Sequence, residues 1–285
     1  MTKIDQYESL FRSADKAVYT YRRVDPRKLL VVSDLDGEAA LRFFDRVRSF
    51  LGILESDGQT WSHLDGSAFD SVRALLDQVS LARPDLIVTY RHLHSNAWHW
   101  QLSLGEYLDV LTQATQIPVL VLPHPDADQA LPHSLGDTDQ VMAITNHLTG
   151  DDSLVNWALR VTERGGTCWL THVESDSELD RLFEAISKIP EIDTEQARTL
   201  IPAQLLKEPR DYIRSCNALI QSEGLAITVE ERVLLGHHVS EYRRLVEEHS
   251  IDLLVMHTMD DDQLAMHGSA YPLAVELCQI PILML

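Results

Sequence analysis

The sequence predicts an α/β protein made of two doubly wound parallel-sheet domains, the first of them abbreviated. Three observations carry that expectation. The strand-like segments are short, continuous apolar runs, such as Leu29-Leu30-Val31-Val32, Leu86-Ile87-Val88 and Leu253-Leu254-Val255. Strands read this way when helices cover both faces of a parallel sheet. Amphipathic segments lie between them, at 38–51, 69–81, 153–163, 239–248 and 270–278, and alternation of strand and helix builds a doubly wound sheet. Finally, the chain repeats itself. Residues 105–118 read GEYLDVLTQATQIP and residues 268–281 read GSAYPLAVELCQIP; each ends in Gln-Ile-Pro and runs into an apolar segment, Val119–Leu122 and Ile282–Leu285.

Taken in order, residues 1–27 read as a helical arm with Tyr7, Leu10 and Phe11 on one side. The first domain spans 28–123. Its opening strand is followed by Ser33-Asp34-Leu35-Asp36, and a later strand by a loop rich in His and Trp, 90–103. Three prolines between Pro123 and Asp139 mark a linker, 124–139. The second domain spans 140–285 and starts on Ala143-Ile144-Thr145-Asn146. Asp85-Leu86-Ile87-Val88 matches Asp252-Leu253-Leu254-Val255, and the LDG that ends at Gly66 matches the LLG that ends at Gly236. The two opening strands are offset by 112 residues and the Gln-Ile-Pro segments by 163. The second copy therefore carries about fifty extra residues: they contain a strand at 167–173 and helical sequence from about Glu178 to Ser222, and the first copy lacks that strand and most of the helix.

Composition narrows the function. Forty-four Asp and Glu against 24 Lys and Arg leave a net charge of −20, the wrong sign for neutralising nucleic-acid phosphates or anionic lipid. A hydrophobic content of 45% is enough to bury a real core. No apolar run is long enough to span a membrane, and the first residues carry charges where a signal peptide needs an apolar stretch. Cys168, Cys216 and Cys278 are far apart and form no metal or disulfide spacing. The expectation is a cytoplasmic protein.

The order Asp-Leu-Leu-Val-Met at 252–256, a loop to Gly268-Ser269, a helix, then Ile280-Pro281 and a last apolar strand resembles the C-terminal half of a universal stress protein domain. The same order at 85–122 makes the chain resemble a tandem universal stress protein, with the adenine-nucleotide alpha hydrolase-like fold that this implies. Nucleotide-binding members of that family carry, after this strand, a glycine, two residues, a second glycine, nine residues, then glycine and Ser or Thr. Here His257 and Asp260 replace the two glycines, and only seven residues separate Asp260 from Gly268. In the first copy Tyr90 and Leu93 stand at those places, and Glu106 follows Gly105. The aspartate that meets the nucleoside in the family aligns with Asp34, and with Asn146 in the second copy. The resemblance thus nominates Asn146, His257, Gly268 and Ser269, with Asp34 and Gly105 in the first copy, as a degenerate nucleotide site. Lost glycines keep the backbone from phosphates, and Asp260-Asp261-Asp262 repels them, so ATP or another adenine nucleotide is expected to bind weakly at most. For Ser269 taken alone, a helix cap is the preferred reading over a ligand contact.

Thirteen histidines raise the question of a metal. His92, His94 and His99 fall within eight residues of one another, and His257, His267 and Asp260 form a weaker set; a solvated polar loop is the preferred reading of both. No hydrolase, dinucleotide, P-loop or zincin motif is present. The expectation is a stress-response binding and regulatory protein, not an enzyme, with a nucleotide-like ligand and protein partners. Its uncharged last strands should hold the copies as an internal pseudo-dimer, with a homodimer beyond that. The alternative is a nucleotide-dependent or metal-assisted enzyme with rebuilt loops.

Overall fold

A computed structural model describes residues 17–99, 103–126, 130–131, 133–145, 148–258 and 270–285. Its strands are β1 (Lys28–Val32), β2 (Thr60–Leu64), β3 (Leu86–Tyr90), β4 (Val119–Leu122), β5 (Gln140–Thr145), β6 (Thr167–Ser175), β7 (Thr228–Gly236), β8 (Leu253–Met256) and β9 (Ile282–Met284). Its helices are α1 (Gly37–Phe50), α2 (Val72–Ala82), α3 (Glu106–Ala114), α4 (Asp152–Val161), α5 (Asp176–Ile186), α6 (Thr194–Ser222), α7 (His238–Glu248) and α8 (Ala270–Glu276). The apolar runs are strands, and β3, β4, β8 and β9 are buried along their whole length. At several helices a short polar side chain caps the start, where backbone N–H groups lack partners. Ser71 accepts from Ala74 N at 3.3 Å, Asp151 from Leu154 N at 3.0 Å and Asp193 from Gln196 N at 3.0 Å.

The strands form one sheet, in the order β2-β1-β3-β4-β9-β8-β5-β6-β7. Every neighbouring pair is parallel except β4 with β9, which run antiparallel with Val119 opposite Met284 and Val121 opposite Ile282. Where two parallel sheets were expected, two parallel runs are fused through their last strands. Chain order reverses between β1 and β3 in one run and between β5 and β8 in the other. Such switch points open crevices at strand C-termini, and the antiparallel seam sends the two crevices to opposite ends of the sheet.

The N-terminal run has four strands and the C-terminal run five. The strand that leads to Gly66 aligns in sequence with β7, which ends at Gly236, yet it pairs with β1 in full register from Lys28↔Thr60 to Val32↔Leu64. That is the place β6 holds beside β5. With no segment like 167–222 between them, nothing separates β2 from β1. In the C-terminal run, α6 buries only its second half, through Pro209, Tyr212, Ile213, Cys216 and Ile220. Its first half packs with α5 around a separate small cluster of Leu179, Phe183 and Ile186.

Residues 17–27 correct the expectation of a helical arm, since they contain no helix; residues 1–16 lie outside the described residues. Their N–H groups are given to side chains of other elements rather than to carbonyls one turn back. Tyr19 N donates to Ser215 Oγ at 3.2 Å, Thr20 N to Asp152 Oδ2 at 3.2 Å and Arg22 N to Asn156 Oδ1 at 3.1 Å. Arg160 of α4 secures the same strap, donating to Val24 O at 3.0 Å while also reaching Ile53 O at 2.5 Å and Leu54 O at 3.0 Å. No helix among the described residues is long and apolar enough to cross a membrane.

Candidate functional site

The β1/β3 crevice is built from the residues that follow the two strands. Asp34 leaves β1 and both of its carboxylate oxygens are engaged. Oδ1 accepts from the Tyr90 hydroxyl, and Oδ2 accepts from the His94 backbone N–H at 2.6 Å. The Asp34 N–H donates back to the Tyr90 oxygen at 3.2 Å. Tyr90 is fully buried and meets Phe43 and His124 edge-on, each with ring centres 5.1 Å apart. Burial first, then the Asp34 carboxylate, push its phenol well above the ordinary range. Where a glycine would leave the crevice open, an aromatic ring occupies it.

The loop after β3 folds down on the same place. His92 (φ +61) and His94 (φ +55) take left-handed conformations, uncommon for side chains with a Cβ. The His94 ring packs with Phe69, centroids 5.0 Å apart, and Tyr107, 5.4 Å apart, which also meet each other at 5.7 Å. His92 is buried, donates from its backbone to Leu104 O at 3.1 Å, and is held below the usual histidine range by burial and then by Arg91. Gly105 (φ +97) begins α3 against this backbone: a Cβ there would come within 2.8 Å of His92 Cα. The candidate Gly105 is therefore needed for close approach of the chain to itself.

In the β5/β8 crevice, His257 leaves β8 and its Nε2–H donates to Asp151 Oδ1 at 3.0 Å. That oxygen also caps α4, so the residue standing at the first glycine position ties β8 to the start of a helix. Tyr242, fully buried, donates to Thr145 O at 3.3 Å at the end of β5. Asn146, Gly268 and Ser269 lie outside the described residues, as do Asp260 and His267 of the weaker metal set.

The other histidine set, for which a solvated loop is the preferred reading, lies in a loop that is described in part. Among the described residues, His92, His94 and His99 do not bring their ligand atoms within 4.8 Å of one another; the one group that does is Asp137, Asp139 and Asp252. It lies at the opposite ends of β5 and β8 from their crevice. Asp252 is 3% exposed and accepts from Gln140 N at 2.9 Å. Burial first, and then Asp137 and Asp139, push its carboxyl up to about 7. Sequence reading treated Asp252 only as part of a repeated strand. The Asp-Thr-Asp before β5 was the available signal, but only the β5–β8 pairing brings the two segments together. Gly66 was likewise only a repeat marker; a Cβ there would lie 2.5 Å from Asp34 O, so it lets β2 turn close past the site.

No family model matches the sequence, and no curated protein does. Solved structures do match its fold. A functionally unknown protein, PA1789, from Pseudomonas aeruginosa PAO1 is similar with a TM-score of 0.53 at 12% identity, over 91% of this chain and 92% of that one. A universal stress protein from Archaeoglobus fulgidus DSM 4304 is similar with a TM-score of 0.51 at 12% identity, over 93% of this chain and 97% of that one. At that identity the likeness is one of fold.

Proposed function

We propose that this chain is a tandem universal stress protein, with domains at 28–123 and 140–285 joined by the linker at 124–139, that works by binding and regulation rather than turnover. The state of Asp34 carries this reading. The residue that the family resemblance assigns to the nucleoside has one oxygen on Tyr90 and the other on the His94 amide. A ligand would have to displace both donors. In the other crevice His257 brings a ring where a glycine would leave room, and Asp151 holds that ring in place. The antiparallel β4–β9 pair supports an internal pseudo-dimer. With both crevices narrowed, protein partners take over as the output, and the cytoplasm is the proposed setting.

The test is calorimetric titration of the purified full chain with ATP and Mg²⁺, alongside native mass spectrometry and the 260 nm absorbance of the untreated protein. The expected result is no copurified nucleotide and no submicromolar affinity; a submicromolar Kd would overturn the degenerate-site reading.

One observation favours the alternative of an enzyme with rebuilt loops. An imidazole oriented by a carboxylate, as His257 is by Asp151, is the arrangement of a general base. ATP hydrolysis that His257→Ala abolishes while the fold persists would establish it; a rate unchanged by the substitution would dismiss it.

A further inference from the structure

The exposed apolar side chains of this protein gather on one protrusion. Among the described residues nine large hydrophobics are exposed, and five of them, Leu182, Ile189, Ile192, Leu200 and Leu205, belong to the hairpin formed by α5 and the first half of α6. Single exposed apolar side chains are ordinary, but a concentration of them marks an interaction surface. The hairpin is also thinly built. Its core is Leu179, Phe183 and Ile186 of α5 against Ala197 and Ile201 of α6, separate from the main core. Residues 187–193, which turn the chain back, are all exposed.

Helix geometry puts two of the exposed leucines on one side of that core. Leu182 precedes Phe183 and Leu200 precedes Ile201, each a step of about 100° around its helix axis. Because the two helices run antiparallel, the same backward step turns both side chains toward one face of the hairpin. Arg198, a step forward from Ala197, turns to the other face, where its guanidinium lies 5.0 Å from the centre of the Phe183 ring. One side of the small core is therefore covered, while on the other Leu182 and Leu200 are 42% and 56% exposed.

Charge indicates what belongs on the open side. Residues 176–205 carry seven carboxylates against three cations. Two of those cations are engaged, Lys188 with Glu184 at 2.8 Å and Arg198 on Phe183. Among the described residues, Glu178, one turn before Leu182, and Glu191, between Ile189 and Ile192, have no ion-pair partner. A second copy of this chain, at −20, or an anionic membrane would bring more negative charge to the same place. A basic segment brings the opposite sign.

We propose that the α5–α6 hairpin is the docking surface for a basic amphipathic helix of a partner protein, laid along the face that carries Leu182 and Leu200. The partner's apolar stripe closes the open side of the Leu179, Phe183 and Ile186 core as a third helix. Its Lys and Arg side chains meet Glu178 and Glu191 at the rim, where charge sets orientation and rate of encounter more than affinity. This deepens the regulatory reading above, on which it rests, by giving its protein partner a chemistry and a place.

The probe is a fluorescein-labelled peptide of Leu and Lys, about four helical turns long, with Leu at i, i+3, i+4 and i+7; the control has the same composition in scrambled order. Anisotropy titration against the full chain without nucleotide is expected to give a micromolar Kd for the amphipathic peptide, at least about tenfold tighter than for the control. The double variant Leu182→Ser, Leu200→Ser should weaken binding at least about tenfold, as loss of two anchors does, with Tm unchanged because both side chains are exposed. The pair Leu41→Ser, Leu81→Ser, equally exposed on α1 and α2, should leave binding intact. Glu178→Lys with Glu191→Lys should weaken it and flatten its salt dependence. Equal binding of the scrambled peptide, equal effects of the two leucine pairs, or no binding at about 1 mM peptide would overturn the proposal. So would a dimer that the Leu182, Leu200 variant dissolves, which assigns the face to a second copy, or a gain in peptide affinity on deleting residues 1–16, which assigns it to that segment. The ATP titration above is independent of these outcomes: a tight nucleotide site would overturn the degenerate-crevice reading and leave the peptide result standing, and the reverse holds too.

Discussion

Asp85 and Asp252 do the same work in the two parallel runs of the sheet. Asp85 Oδ2 accepts from Lys28 N at 2.9 Å, and Asp252 Oδ2 accepts from Gln140 N at 2.9 Å. Each carboxylate pins the start of the central strand of its run to the strand across the switch point. Their surroundings differ: Asp85 is exposed, whereas Asp252 is buried with Asp137 and Asp139 beside it.

That difference makes stability depend on pH. Unfolded, Asp252 loses its proton near the ordinary carboxylate value of about 4; folded, it holds the proton up to about 7. Between those limits the folded state binds more protons, so this contribution is complete below pH 4 and lost as pH rises through 7. One proton sets the steepest slope at about 1.4 kcal/mol per pH unit. Asp252→Asn keeps an acceptor for Gln140 N and removes the titration. Urea midpoints at pH 5, 6, 7 and 8 should fall for the parent chain and fall less for the variant; identical slopes would refute the assignment.

Tyr90→Phe keeps the ring between Phe43 and His124 and deletes the hydroxyl. Asp34 Oδ1 loses a donor and Asp34 N an acceptor. The expected cost is about 1–3 kcal/mol, the range for polar groups left unpaired in a folded interior. Denaturant unfolding reads it directly, with an unchanged m-value; a midpoint equal to that of the parent would show that the pair contributes nothing.

Gly105→Ala faces two penalties, a positive φ of +97° and a collision with His92 Cα and N. Gly165→Ala has a similar φ of +88° with nothing within 4 Å of the added carbon. The pair separates backbone strain, about 1–3 kcal/mol, from the clash. Gly105→Ala should lower Tm distinctly more than Gly165→Ala, and equal losses would mean that the loop after β3 yields.

Removing residues 282–285 deletes β9, the strand that pairs with β4 on one side and β8 on the other. Ile282, Leu283 and Met284 are all buried, and burying each such side chain contributes about 1.5–3 kcal/mol. The sum rivals the whole stability of an ordinary domain, about 5–15 kcal/mol, and two apolar strand edges are left bare. The truncated chain should be insoluble or melt far below the parent; full solubility with an unchanged Tm would contradict the seam's importance.

Much of this is legible in the sequence. Continuous apolar runs between amphipathic segments specify buried strands and covering helices, because period and hydrophobicity are properties of neighbouring residues. The Gln-Ile-Pro repeat is likewise read from spacing alone; that Tyr90, Leu93 and His257 stand where glycines would is what the family resemblance implies. The closure of Asp34 is not legible there. It depends on a hydroxyl 56 residues away and an amide 60 residues away, brought together only when β3 lies beside β1. The position of β2, the antiparallel direction of the β4–β9 pairing and the grip of Arg160 on carbonyls more than a hundred residues distant belong to the same class. Local pattern determines which segments become strands and helices. Which polar groups then find partners is decided by packing, because a hydrogen bond closes only when burial has already brought both ends within about 3 Å.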